Sequence, residues 1–142
     1  MDDPNPAAPT DHIGLEVLSN AECDALLEET QIGRIAFVAD GDVVIFPVNY
    51  RFIDHTIVFR TADGTKLEVA ANHQPVAFEI DGYDLGSKTG WSVLVKGIAR
   101  YVLEDEEEAM LARLDLRPWA PLTQVRRWVR ISPEEITGRK IV

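Results

Sequence analysis

The residues most able to do chemistry lie in one short stretch, Ile57-Val58-Phe59-Arg60-Thr61-Ala62-Asp63-Gly64-Thr65-Lys66. An alternating apolar run delivers a cation at Arg60, and a turn containing Gly64 follows. A second cation, Lys66, then stands where a helix is expected to begin. This pattern can hold a phosphate. Arg presents a planar fork of donors and Lys a compact point charge. Thr61 and Thr65 add hydroxyls, and a helix start adds unpaired backbone N–H groups. The same residues also read as solvated charges at the end of a strand. The rest of the chain has to separate the two readings.

The rest of the chain is acidic. Its 142 residues carry 24 Asp and Glu against 14 Lys and Arg, a formal charge of -10. Such a surface repels nucleic acid and anionic lipid, so neither is expected as a partner. An anion that binds must find a local cationic pocket, which sharpens the interest of Arg60 and Lys66. Cys23 is the only cysteine, so neither a disulfide framework nor a thiolate cluster is expected. His12, His55 and His73 lie at no metal-ligand spacing, and no metal is expected. No apolar run approaches the roughly 20 residues of a membrane span. The acidic, Pro- and Ala-containing N-terminus is not a secretory signal. A cytoplasmic location is the expectation.

The elements that must position these residues are mostly strands. Residues 1–13, with Pro4, Pro6 and Pro9, are expected to form a mobile tail, and residues 14–142 a single domain. Apolar residues make up 46% of the chain, enough for one core. Ser19-Asn20-Ala21-Glu22 fits a capping box, with Leu18 and Cys23 as the hydrophobic staple of a helix running to about Thr30. Strands are expected over Gly33–Ala39, Val43–Tyr50, Thr56–Thr61, Val76–Ile80, Trp91–Val102 and Val125–Ile131. Asp40-Gly41 and Asp54-His55 read as turns, and Gly64 to about Asn72 as a short helix with Leu67, Val69 and Ala70 apolar. A polar loop is expected from Asp81 to Gly90. Gly97 marks a bulge or bend. Glu104–Asp115 reads as an acidic helix whose first-turn charges suit the helix dipole. Ser132-Pro133-Glu134-Glu135 is expected to close the last strand, leaving a short tail.

Pro47 removes a ladder N–H from the second strand, so that part should lie at an edge or a break. Such an edge can meet the hydrogen-bonding rim of a ligand, or simply guard against aggregation. Six short strands joined largely by turns argue for an antiparallel barrel or sandwich with two or three small helices outside. Trp91, Trp119 and Trp128 are a large aromatic load for so small a unit, and a partner subunit could bury some of it.

Blocks along the chain resemble the pyridoxamine-phosphate-oxidase-like proteins, the FMN-binding split-barrel superfamily. They are Ile32-Gly33-Arg34-Ile35-Ala36-Phe37, Phe46-Pro47-Val48-Asn49-Tyr50, Phe59 to Leu67, Val76 to Asp81, and Gly90 to Gly97. Together they extend the resemblance from about Leu18 to Ile131. It implies a mainly β fold: a six-stranded antiparallel split barrel with small flanking helices. It also implies a homodimer with two FMN sites at the subunit interface. Carried over, Arg60, Thr61 and Lys66 hold the FMN phosphate, with Thr65 assisting. Pro47, Val48 and Asn49 lie along the isoalloxazine, and Trp91 and Ser92 approach the same pocket, from the same or the other subunit.

The chemistry would be the flavin's own, hydride transfer at N5. His55 and His73 read as a turn residue and a helix-end residue. Ser92 lacks the setting of a nucleophile elbow. True pyridoxamine-phosphate oxidases carry an Arg-x-His pair near the C-terminus. Here Arg126, Arg127 and Arg130 occur without a histidine, so turnover of vitamin B6 is not expected. The expected function is an FMN-dependent oxidoreductase acting on a small molecule. The alternatives are a reductase using F420 in the same pocket and a flavin-binding dimer without turnover.

Overall fold

Two tight turns set the register of the middle of the chain. Asp40 and Gly41 both take positive φ (52° and 80°), as do Asp54 and His55 (50° and 59°). Paired positive φ values match the twist of a two-residue hairpin. The structure is a computed structural model that describes residues 9–11, 14–62, 73–116 and 126–141. Its elements in chain order are β1 (Glu16–Val17), α1 (Asn20–Glu29), β2 (Ile32–Ala39), β3 (Asp42–Ile53), β4 (Thr56–Ala62), β5 (Gln74–Asp84), β6 (Thr89–Tyr101), α2 (Asp105–Ala112) and β7 (Arg126–Ile141).

The fold is mainly β and its ladders are antiparallel, with two helices among the described residues. Seven strands follow the order β1-β7-β4-β3-β2-β5-β6, and β6 also pairs with β7, so the row returns on itself. The expected count of six is corrected by β1, a two-residue strand that pairs Glu16 with Lys140 and Val17 with Arg139. The last strand does not close at Ser132–Glu135 but runs to Ile141. Pro133 is accommodated opposite Gly97, where the β6–β7 register shifts, as the glycine led one to expect. The polar loop expected over Asp81–Gly90 shrinks to a turn, because Asp81–Asp84 continue β5 against Ser92–Thr89. The helix expected over Gly64–Asn72, Trp119 and most of residues 1–13 lie outside the described residues.

Alternation along the strands fills the interior with Ile35, Phe37, Val48, Tyr50, Phe59, Phe78, Ile80, Val93, Val95, Val129 and Ile131, all buried. Gly33 is part of this face: the Phe78 ring occupies the space a β-carbon would take. The capping box forms as expected. The Glu22 N–H donates to Ser19 Oγ and the Ser19 N–H to Glu22 Oε1, each at 3.1 Å. α1 buries Cys23 and Leu27, and the Tyr50 hydroxyl donates to the Leu27 carbonyl at 2.8 Å. At α2 the acidic run does more than suit the dipole. Glu107 accepts from Arg100 on β6 at 3.0 Å and from Arg130 on β7 at 2.8 Å. Burial opposes the charge of Glu107, but the two guanidiniums outweigh it and hold the carboxyl below its ordinary range.

Candidate functional site

The β3–β4 ladder ends where Tyr50 meets Phe59. Before that point β3 (Asp42–Asn49) pairs with β2, and beyond it β4 (Arg60–Ala62) pairs with β7. The two strands therefore part, and the residues on the facing sides of the split are Pro47, Val48 and Asn49 on β3 and Arg60 and Thr61 on β4. Local sequence explains who points where. Phe59 is buried in the core, so alternation turns Thr61, 7% exposed, to the same inner face and Arg60 to the opposite one, which it shares with the buried Val58 and Trp128. Val48 is likewise inward, with Pro47 and Asn49 outward. Asn49, Arg60 and Thr61 all have interaction partners in the chain. Thr65 and Lys66 lie outside the described residues.

Arg60 is opposite Trp128 on β7, and its guanidinium carbon stands 4.9 Å from the indole centroid. Stacking of this kind holds a guanidinium flat. Trp128 is 2% exposed, so it is buried within its own chain. Its indole N–H is also buried, with no acceptor among the described residues. Sequence reasoning did not connect Trp128 to Arg60. The link depends on the β4–β7 pairing of residues far apart in the chain.

The structure does not bring Trp91 and Ser92 to this split. Ser92 is opposite Asp81 on β5, and β5 is separated from β3 by β2. Going the other way round the closed row, Ser92 pairs with Arg139, at the opposite end of β7 from the Trp128 that faces Arg60. Trp91 instead lines a cleft of about 230 Å³ with Leu15, Tyr83, Arg139 and Lys140. Glycines make room for its rings: Trp91 lies over Gly82 and Tyr83 over Gly90, where an added β-carbon would come within 2.6 and 2.8 Å of them. His55 is an exposed turn residue, its Nε2 at 3.9 Å from Asp24 Oδ2.

A further cluster escaped sequence reasoning. On the outer face Arg34 Nη1 donates to Glu79 Oε1 at 3.1 Å and to Asp81 Oδ2 at 2.8 Å. Burial, and then the neighbouring Asp81, push the Glu79 carboxyl up to about 7 despite the guanidinium. Around it the outer face of β2 and β3 is apolar, with Ile32, Val38, Val43 and Ile45 all more than half exposed. The signal was present in β2, where Ile32, Ala36 and Val38 are apolar at positions alternate to the buried Ile35, Phe37 and Ala39. Among the described residues no helix is long and apolar enough to cross a membrane.

Three comparisons bear on this arrangement. The family model described as pyridoxamine 5'-phosphate oxidase matches residues 19–140. An uncharacterized protein of Mycobacterium tuberculosis is 35% identical over 130 residues, 88% of this chain and 84% of that one. Among solved structures, the FAD binding protein from Mycobacterium smegmatis is 41% identical with a TM-score of 0.74, covering 88% of this chain and 97% of its own. An FAD-binding protein from Mesorhizobium loti is 26% identical with a TM-score of 0.72, covering 90% of this chain and 99% of its own.

Proposed function

We propose that this chain, which belongs to the pyridoxamine 5'-phosphate oxidase family, binds FMN as a split-barrel homodimer and uses it as an oxidoreductase on a small molecule. The observation that carries the proposal is the parting of β3 and β4 at Tyr50 and Phe59. It sets the cation Arg60 and the main chain of Thr61 across from the Pro47–Asn49 edge in an otherwise acidic protein. That donor set fits a phosphate joined to a planar ring with a hydrogen-bonding rim.

In this reading Arg60, Thr61, Thr65 and Lys66 bind the phosphate. Pro47 lies against the ring, and Asn49 and the main chain of Val48 orient its polar rim. Trp91 and Ser92 pair with the far end of β7 within one chain, and in this reading they cover the ring from the partner subunit. The exposed apolar outer face of β2 and β3 is the surface such a partner would cover. A bound flavin would supply hydride transfer at N5. The chain's own part is to anchor, orient and shield, since among the described residues Pro47–Asn49, Arg60 and Thr61 at the split include no His, Cys or carboxylate.

Two relatives are described as binding FAD, which makes FAD the second reading of the same site; F420 as a dissociable cosubstrate is the third. Purification under mild conditions, heat release of any yellow chromophore and chromatography with mass detection decide among them. FMN released in stoichiometric amount is the expected result. FAD, or a colourless protein that takes up only F420, replaces the cofactor. A protein that binds none of the three ends the proposal. Anaerobic reduction by NADH or NADPH, followed by reoxidation with added acceptors, separates an enzyme from a binding dimer without turnover.

A further inference from the structure

We propose that Trp128 belongs to the anion-binding end of this site, in two roles: it positions Arg60 by stacking, and its indole N–H donates to the group that Arg60 holds. The inference rests on the flavin reading for the identity of the anion, a phosphate monoester, but not for the existence of the anion site. Its first support is geometric. Trp128 faces Arg60 across the β4–β7 ladder, with the guanidinium 4.9 Å from the ring centroid. Its second support is independent of Arg60. Trp128 is 2% exposed and its Nε1 is buried without an acceptor among the described residues.

A buried donor left unpaired costs stability. Phenylalanine would fill most of the same volume without that cost, so packing explains a large ring here but leaves the buried indole N–H unexplained. A ligand accounts for it. The N–H lies in the plane of the ring, so an acceptor must approach at the ring edge. A guanidinium lying over the face of the same ring is then within reach of the same phosphate-sized group. The pair would present one charged fork and one neutral donor, a combination that favours an anion over a neutral ligand.

The test compares FMN with riboflavin, which lacks the phosphate. In Trp128→Phe an aromatic ring is kept and the donor removed. FMN affinity, read from quenching of flavin fluorescence, is expected to fall about tenfold, the scale of one lost hydrogen bond to a charged group. Riboflavin affinity stays as in the unsubstituted protein. Unchanged FMN affinity, or equal losses for FMN and riboflavin, overturns the assignment and leaves Trp128 as core packing.

Should the variant not fold, the unsubstituted protein decides. With 15N-labelled tryptophan, and the Trp128 signal identified by elimination using Trp91→Phe and Trp119→Phe, FMN and inorganic phosphate each move the Trp128 indole resonance downfield while riboflavin does not. No movement with either anion overturns the proposal. Movement with phosphate in a protein that takes up no flavin keeps the anion site and removes the flavin.

Discussion

At the scale of single residues, charge placement carries the function. Arg60→Ala and Lys66→Ala are each expected to weaken FMN binding by about 1.5–3 kcal/mol, the worth of a hydrogen bond to a charged group. Equilibrium titration measures this. An unfolded Lys66→Ala protein whose folded fraction still binds flavin normally would remove Lys66 from the site. Glu79 gives a prediction about pH. Its carboxyl is raised from 4.5 to about 7 in the folded chain, first by burial and then by Asp81, with Arg34 opposing. A raised carboxyl favours the neutral form, so its stabilising share is complete below the unfolded value and lost as pH rises through about 7. Glu79→Gln keeps the neutral shape. Its melting temperature relative to the native protein is therefore expected to climb between about pH 5 and about pH 8. A difference that stays flat over that interval shows that Arg34 holds Glu79 ionised throughout. Arg60 was legible as a candidate because its neighbours in sequence carry the pattern. Its stacking partner was not, because Trp128 reaches it through a long-range ladder.

At the scale of elements, what was legible was whatever local chemistry dictates. The Ser19–Glu22 capping box, the Asp40-Gly41 turn and the irregularity at Gly97 all formed where their residues predicted. Strand ends were less legible. β5 extends through Asp81–Asp84 and β7 through Pro133 to Ile141, although neither stretch alternates like a strand over a core. Both are held by cross-strand partners on β6, which composition does not reveal. Gly33 shows the converse, a residue type with a tertiary cause. Phe78 fills the space beside it, so Gly33→Ala is expected to destabilise the fold by about 1–3 kcal/mol through overpacking. Urea denaturation measures this, and a neutral substitution would mean that the Phe78 ring can move aside.

At the scale of the whole molecule, the acidic balance and apolar content enough for one core were legible, while an exposed aliphatic face was not. The ladder register gathers Ile32, Val38, Val43 and Ile45 on the outer face of β2 and β3. The proposed homodimer would cover this face. Ile45→Glu, 64% exposed in the single chain, is expected to leave the fold intact and to halve the mass seen by light scattering, with weaker flavin retention. A native protein already monomeric, or a variant of unchanged mass, would detach this face from subunit contact. One feature of the topology reaches beyond the folded state. β7 is the last strand in chain order, yet it pairs with β1, β4 and β6. While the chain is being made, β4 and β6 therefore emerge from the ribosome with sides still unsealed. Nascent fragments that stop short of residue 126 should be the ones that stick to each other or recruit chaperones, and emergence of β7 the moment at which that hazard ends.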